Sequence, residues 1–207
     1  MKKDSEVERL EALIDIKKED KNSRTSDFLE SLHQSVLRYG TLTEKQANAL
    51  EKIEELSTPA AKERAAKWIV EYPQQFRKDA VICAKYYLAN PPYFSELAKE
   101  IMNKKSFVPT QPQFDHLCGN PYAQRVLSEY HRPPVFEKGA LVQFRSSKTI
   151  PFHLSMIKDK ICVVIDNKCD FITTHAIGAK TYKLLPIGRT TTLLCQERWI
   201  KNFRNKK

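Results

Sequence analysis

The run His131-Arg132-Pro133-Pro134 divides the chain into two segments with different hydrophobic grammar, and this division constrains the fold most. Before it, apolar residues recur at helical spacing in a charged background. After it, β-branched and aromatic residues gather in short runs separated by turn residues: Ala140–Arg145, Ile161–Ile165, Thr181–Leu185 and Thr190–Leu194. Asp166-Asn167-Lys168 and Pro186-Ile187-Gly188 supply the turns between them. Four or five short strands with little helix suggest a small antiparallel barrel, because closure hides edges that a small sheet cannot leave bare. The expected class is therefore α+β, an N-terminal helical array followed by a small antiparallel β-barrel. The expected segments are an N-terminal helix and linker over 1–23, a helical domain over 24–130 and a basic barrel over 131–207.

The helical part has readable ends. Val7, Leu10, Leu13 and Ile14 form the stripe of a first helix, which runs into the polar stretch Lys17–Ser23. A second begins near Thr25 or Ser26, places Phe28, Leu29, Leu32 and Val36 on one face, and stops at Gly40. Thr43-Glu44-Lys45-Gln46 fits a capping box, and Ala47, Leu50, Ile53 and Leu56 continue the stripe. Two helices joined only by Gly40–Thr43 must pack together. Ser57-Thr58-Pro59 opens another helix through Trp68 and Tyr72, which Pro73 is expected to close. Further helices are expected over 74–89, 93–103, 110–118 and 121–130, with Thr110 and Asn120 as caps.

With 41% apolar residues, 29% charged residues and 5 glycines in 207, the chain is neither disordered nor fibrous. Its uninterrupted apolar runs are too short to cross a bilayer, and Met1–Glu6 turns acidic where a signal peptide would turn apolar. A cytoplasmic protein without membrane contact is expected, in the host cytoplasm if the chain is phage-encoded. Cys83, Cys118, Cys162, Cys169 and Cys195 form no C-x-x-C pair and read as reduced, mostly buried thiols rather than metal ligands.

Charge is the informative property. Residues 1–57 carry 10 basic and 13 acidic side chains, residues 58–130 carry 10 and 7, and residues 131–207 carry 15 and 5. The whole formal excess of +10 lies in the last segment, so nucleic acid is the first partner to consider. Arg145, Lys148, Lys158, Lys160, Lys168, Lys180, Lys183, Arg189, Arg198, Lys201 and Arg204 are interleaved there with Phe144, Phe152, Tyr182 and Trp199. Cations can hold phosphates while exposed rings such as Tyr182 stack bases. Trp199 and Phe144 read better as core.

Two short segments carry resemblances. Phe28 through Gln46 resembles helix-loop-helix pieces of small phage and mobile-element proteins that accompany DNA or RNA machinery. A DNA-reading helix-turn-helix is disfavoured, since Glu44, Glu51, Glu54 and Glu55 would face the phosphates; a hairpin that binds a protein partner fits better. Gly139-Ala140-Leu141-Val142-Gln143-Phe144-Arg145 resembles the opening strand of chromo, Tudor and KOW barrels, which implies loops presented to RNA, DNA or peptide tails.

The sequence contains no complete catalytic signature. Asp166, Asp170, Glu197 and Lys201 could be assembled into a metal-dependent nuclease site, yet aspartate is common in turns and no strand carries a paired acidic-then-lysine pattern. The expected function is non-enzymatic nucleic-acid association, with no cofactor and no metal. The basic barrel would contact phosphate backbone and the helical region a protein partner. The alternatives are a protein-interaction module or inhibitor without nucleic-acid contact, and the nuclease.

Overall fold

A computed structural model describes residues 2–18, 23–146, 150–168 and 172–204. The chain forms two compact units, Met1–Val70 and Glu71–Lys207.

In the first unit, α1 (Lys2–Lys18), α2 (Ser23–Tyr39) and α3 (Glu44–Ser57) share a core of Leu10, Leu13, Leu29, Leu32, Val36 and Leu50, flanked by Val7, Ile14, Leu42 and Ile53. The expected stripes are therefore present, with three exceptions, of which Ala47 is exposed at the start of α3. Phe28 is 40% exposed and Leu56 70% exposed, because each lies at the flank of a stripe already filled by its neighbours. The α2–α3 corner is set by Gly40 at φ 82, whose amide reaches Val36 O at 2.8 Å as a left-handed helix stop. Thr43 and Gln46 then form the expected capping box, with Thr43 N donating to Gln46 Oε1 at 2.9 Å and Gln46 N to Thr43 Oγ1 at 3.4 Å. Arg9 of α1 clasps Glu54 of α3 at 2.9 and 2.5 Å. Helix α4 (Pro59–Glu71) follows.

Pro73 does not end the helical path as expected. After Glu71 the chain widens into a π-helical turn, Tyr72–Phe76, and continues directly as α5 (Arg77–Ala89). A proline lacks the amide for an ordinary helical bond and crowds the carbonyl four residues back, and the wider turn relieves that conflict. Helix α5 is the axis of the second unit's helical layer: α6 (Ser95–Asn103), α7 (Gln111–Cys118) and α8 (Pro121–His131) all pack on it. Its buried Ala80, Cys83 and Ala84 let those neighbours approach closely. Thr110 with Gln113 caps α7 as a box, and Asn120 Oδ1 accepts from Tyr122 N and Ala123 N to cap α8. The Arg77 guanidinium donates to Phe107 O at 3.2 Å and Ile101 O at 3.3 Å, satisfying carbonyls at the end of α6 and beyond it.

The remainder is a five-stranded antiparallel sheet: β1 (Leu141–Phe144), β2 (Ile161–Asp166), β3 (Thr181–Pro186), β4 (Leu193–Gln196) and β5 (Ile200–Asn202), in the order β4-β3-β2-β1-β5. A short helix α9 (Phe152–Ser155) lies between β1 and β2. Alternation puts Val142, Phe144, Cys162, Val164, Tyr182, Leu184, Cys195 and Ile200 into one core with Phe136, Leu154 and Ile157. Among the described residues the sheet does not close into the expected barrel, since β4 and β5 are its two edges. It is nevertheless curled. Laid flat, β4 and β5 would stand about 19 Å apart at the usual ~4.8 Å strand spacing. Only the 3-10 turn Glu197–Trp199 connects them, and even four extended steps would span no more than about 14 Å. The ends of the two edges must therefore approach each other without forming a ladder.

Among the described residues no helix is long and apolar enough to cross a membrane.

Candidate nucleic-acid interface

The β1–β5 ladder positions the site. Register pairs Val142 with Asn202, Gln143 with Lys201 and Phe144 with Ile200. Phe144 and Ile200 point into the core, so the next residues on the opposite face, Gln143 and Lys201, stand side by side on the outside. Arg145 extends this pairing by one step: its amide donates to Trp199 O at 2.8 Å and its Nε to Ile200 O at 2.8 Å. These two bonds hold the guanidinium stem against β5 rather than leaving it to swing.

A groove of about 810 Å³ results, lined by Gln143, Arg145, Lys201, Asn202, Phe203 and Arg204, with Val135 and Phe136 forming one wall. Among the described residues that line it are three cations and no carboxylate. A smaller cavity of about 280 Å³ adjoins it, sharing Val135, Phe136 and Arg145 and adding Arg198. The Arg198 guanidinium lies 5.2 Å from the centre of the Trp199 ring, a stacked cation on a half-buried aromatic. Four of the sequence-predicted phosphate contacts, Arg145, Arg198, Lys201 and Arg204, thus fall in one continuous neighbourhood.

The other expected contacts are distributed differently. Lys158 and Lys160 are exposed between α9 and β2, with Phe152 of α9 presenting its ring to solvent at 90% exposure. Lys183 and Arg189 are exposed on β3 and in the turn after it, and Lys168 is exposed beyond β2. Lys148 lies outside the described residues, as do Asp170 and Cys169.

Lys180 and Tyr182 are corrections. Lys180 is only 4% exposed, and its ammonium donates to Tyr130 O at 3.0 Å and to Arg132 O, joining the end of α8 to β3. Tyr182 is fully buried, donating its hydroxyl to Glu197 Oε2 at 2.7 Å and accepting from Val135 N at 2.9 Å. Neither side chain is exposed at the surface. Their partners complete a buried charged network: Arg132 bridges Glu129 at 2.6 Å and Glu197, and Glu129 accepts from the Gly178 amide at 3.2 Å. Burial works against ionising Glu129, but the Arg132 guanidinium outweighs it and holds that carboxyl below its usual range. Burial, then the bond to Glu197, pushes the Tyr182 phenol up. Two carboxylates face two cations, so the network is neutral in sum and acts as a rigid joint behind the groove.

The same joint removes Glu197 from the metal-ligand set considered for a nuclease, since its carboxylate is 7% exposed and committed to Arg132 and Tyr182. Asp166 accepts from the Lys168 amide at 3.0 Å, an ordinary Asx turn. Among the described residues no group of three or more His, Cys, Asp or Glu side chains is placed to hold a metal ion. Cys83, Cys118, Cys162 and Cys195 are free, buried thiols.

Sequence reasoning did not find Gln143 and Asn202 as groove residues, nor Arg132 as the centre of the joint. Their roles depend on ladder register and on a partner 65 residues away. Compared with known proteins, the chain matches no family model, no curated protein and no solved structure.

Proposed function

We propose that this protein binds nucleic acid without catalysing a reaction on it, using the β1–β5 groove to hold phosphate backbone and its curled sheet as a small-barrel platform. The observation that carries this reading is the convergence of Arg145, Lys201 and Arg204 on one groove whose described lining residues include no carboxylate. Each cation can neutralise a phosphate and release counterions, and Gln143 and Asn202 add neutral polar groups between them. The helical region would contact a protein partner. In the first unit Leu56, Ile69 and Val70 are 70%, 58% and 65% exposed, and a surface offering several large aliphatic groups suits such a contact.

The test is anisotropy of labelled DNA and RNA across a salt series. Affinity should fall steeply with salt. Lys201→Ala with Arg204→Ala should weaken binding and flatten the salt slope by about 1 for each cation–phosphate pair removed, with little change in thermal stability. Binding equal to wild type at every salt concentration would overturn the reading.

A further inference from the structure

The second unit carries another concavity, of about 520 Å³, that is aromatic rather than basic. Its floor is Tyr86 and Tyr87 of α5, and its open walls are Tyr93, 73% exposed, and Tyr122, 55% exposed. His175 closes one side: its Nδ1 lies 3.2 Å from the Tyr86 hydroxyl and its ring meets Tyr122 edge-on at 4.9 Å between centres. Phe94 completes the wall from a left-handed backbone conformation, φ 55, with its ring tilted on Tyr87 at 4.8 Å. A bulky residue is costly in that conformation, so the packing around this concavity holds it there. Among the described residues no Lys, Arg, Asp or Glu side chain lines it.

This concavity is not isolated. His175 also lines a neighbouring hollow of about 750 Å³ that contains the exposed Arg125 and ends at Ile177. Ile177, 91% exposed, is shared in turn with the small cavity of Arg198, which adjoins the basic groove through Arg145. Aromatic pocket, Arg125, Arg198 and the Arg145–Lys201–Arg204 groove therefore follow one another along the surface through shared lining residues. The two carboxylates on this route, Glu129 and Glu197, are both paired with Arg132.

We infer that the aromatic pocket and the basic groove are two ends of one binding track for a single strand of nucleic acid, with bases stacked on Tyr93 and Tyr122 and the backbone running over Arg125 and Arg198 into the groove. The inference rests on the proposed phosphate-binding role of the groove and specifies its ligand as unpaired. A duplex keeps its bases in the stack and has none to offer the tyrosines, whereas a single strand presents ring faces and phosphates together.

The experiment is anisotropy with fluorescein-labelled oligo-dT and oligo-U of about 12 nucleotides, within the ~4–16 that single-strand grooves usually cover, and with a duplex of equal length. The wild type should bind both single strands more tightly than the duplex. Tyr93→Ala with Tyr122→Ala should loosen single-strand binding by about tenfold per ring removed, leave the salt slope unchanged because every phosphate-binding cation is still in place, and leave duplex binding unchanged. Tyr93→Phe with Tyr122→Phe should restore single-strand binding, since stacking needs the rings and not the hydroxyls. Both positions are exposed, and a thermal melt of each variant checks that the fold is kept. Wild-type affinity in the tyrosine-to-alanine variant, with Lys201→Ala/Arg204→Ala still weakened, would overturn the track and keep the groove. Loss of neither, or equal binding of duplex and single strand, would overturn the track as well, as would a proline-rich peptide occupying the pocket without displacing the oligonucleotide. A wild type that binds no nucleic acid overturns both.

Discussion

The Tyr182 hydroxyl donates to Glu197 across 2.7 Å inside the second unit, joining β3 to the turn that carries the chain from one sheet edge to the other. That bond and the Arg132 bridge fix the turn, and the turn fixes where β5 presents Lys201. The β1–β5 groove is thus held by a network that lies behind it.

Tyr182→Phe removes the 2.7 Å donor to the buried Glu197 Oε2 and the 2.9 Å acceptor of Val135 N, which keep only their long 3.4 Å bond to each other. The variant should lose about 1–3 kcal/mol in denaturant unfolding, the usual cost of an unsatisfied buried polar group. A midpoint equal to wild type would mean that the joint does not contribute to stability.

Glu129 contributes to the acid sensitivity expected of the second unit. Its carboxyl titrates below the usual range in the fold because Arg132 outweighs burial. A depressed folded pKa contributes stability that is present above the unfolded value, near 4.3, and is lost as pH falls through the folded one. Unfolding free energy should therefore drop on acidification below about pH 4, and Glu129→Gln should flatten that drop while lowering stability at neutral pH. Chemical denaturation at several pH values reads both.

At the alkaline side the buried thiols act. Burial pushes Cys162 up to about 11, and burial followed by the nearby Cys162 pushes Cys195 up to about 12. A folded pKa raised above the unfolded value near 8.5 means stability present below that value and lost as pH rises toward 11 and 12. Maleimide labelling at neutral pH, mapped by mass spectrometry, should leave Cys162 and Cys195 unmodified until denaturant is added. Rapid labelling of either in the native protein would contradict their burial.

Gly178 is required for two reasons. Its φ of 74 disfavours any side chain, and a Cβ there would come within 2.9 Å of Arg198 Cβ. Gly178→Ala should therefore destabilise the second unit by more than about 1 kcal/mol and shift Arg198, lowering both the melting temperature and nucleic-acid affinity. Retained stability would show that the loop relaxes around the added methyl.

Much of the fold was legible because its signals are local. The Thr43–Gln46 box, the Thr110 and Asn120 caps and the stripes on α1 and α2 involve residues within a turn or two of each other. Strands β1, β2 and β3 announced themselves by alternation, and β4 shared only part of its expected range. Strand β5 is three residues long and exists through pairing with β1, nearly sixty residues upstream, so nothing in Ile200-Lys201-Asn202 marks it locally. The groove depends on that pairing and was legible only as an excess of charge. Lys180 and Tyr182 carried a second signal: they are in phase with inward-facing Leu184, while the exposed Lys183 is not. Charge is blind to that phase, and by charge alone both residues read as surface.

The distinction between Lys180 and Lys183 gives the last prediction. Both are lysines of the basic C-terminal segment, three residues apart, and composition treats them alike. Lys180 reaches the carbonyls of Tyr130 and Arg132 from inside the fold, whereas Lys183 faces solvent from β3. Lys180→Ala should leave those carbonyls without their charged donor and cost about 1–3 kcal/mol, with the affinity of the remaining folded molecules nearly unchanged. Lys183→Ala should leave the unfolding curve within about 0.5 kcal/mol of wild type. Because Lys183 lies outside the residues that line the groove, its removal should reduce affinity only through the long-range field, an effect that fades as salt shortens the screening length. Denaturant unfolding and a salt titration on the two single variants measure all four quantities. A Lys180→Ala protein as stable as wild type, with weakened binding, would mean that this ammonium leaves its carbonyls and serves the nucleic acid instead.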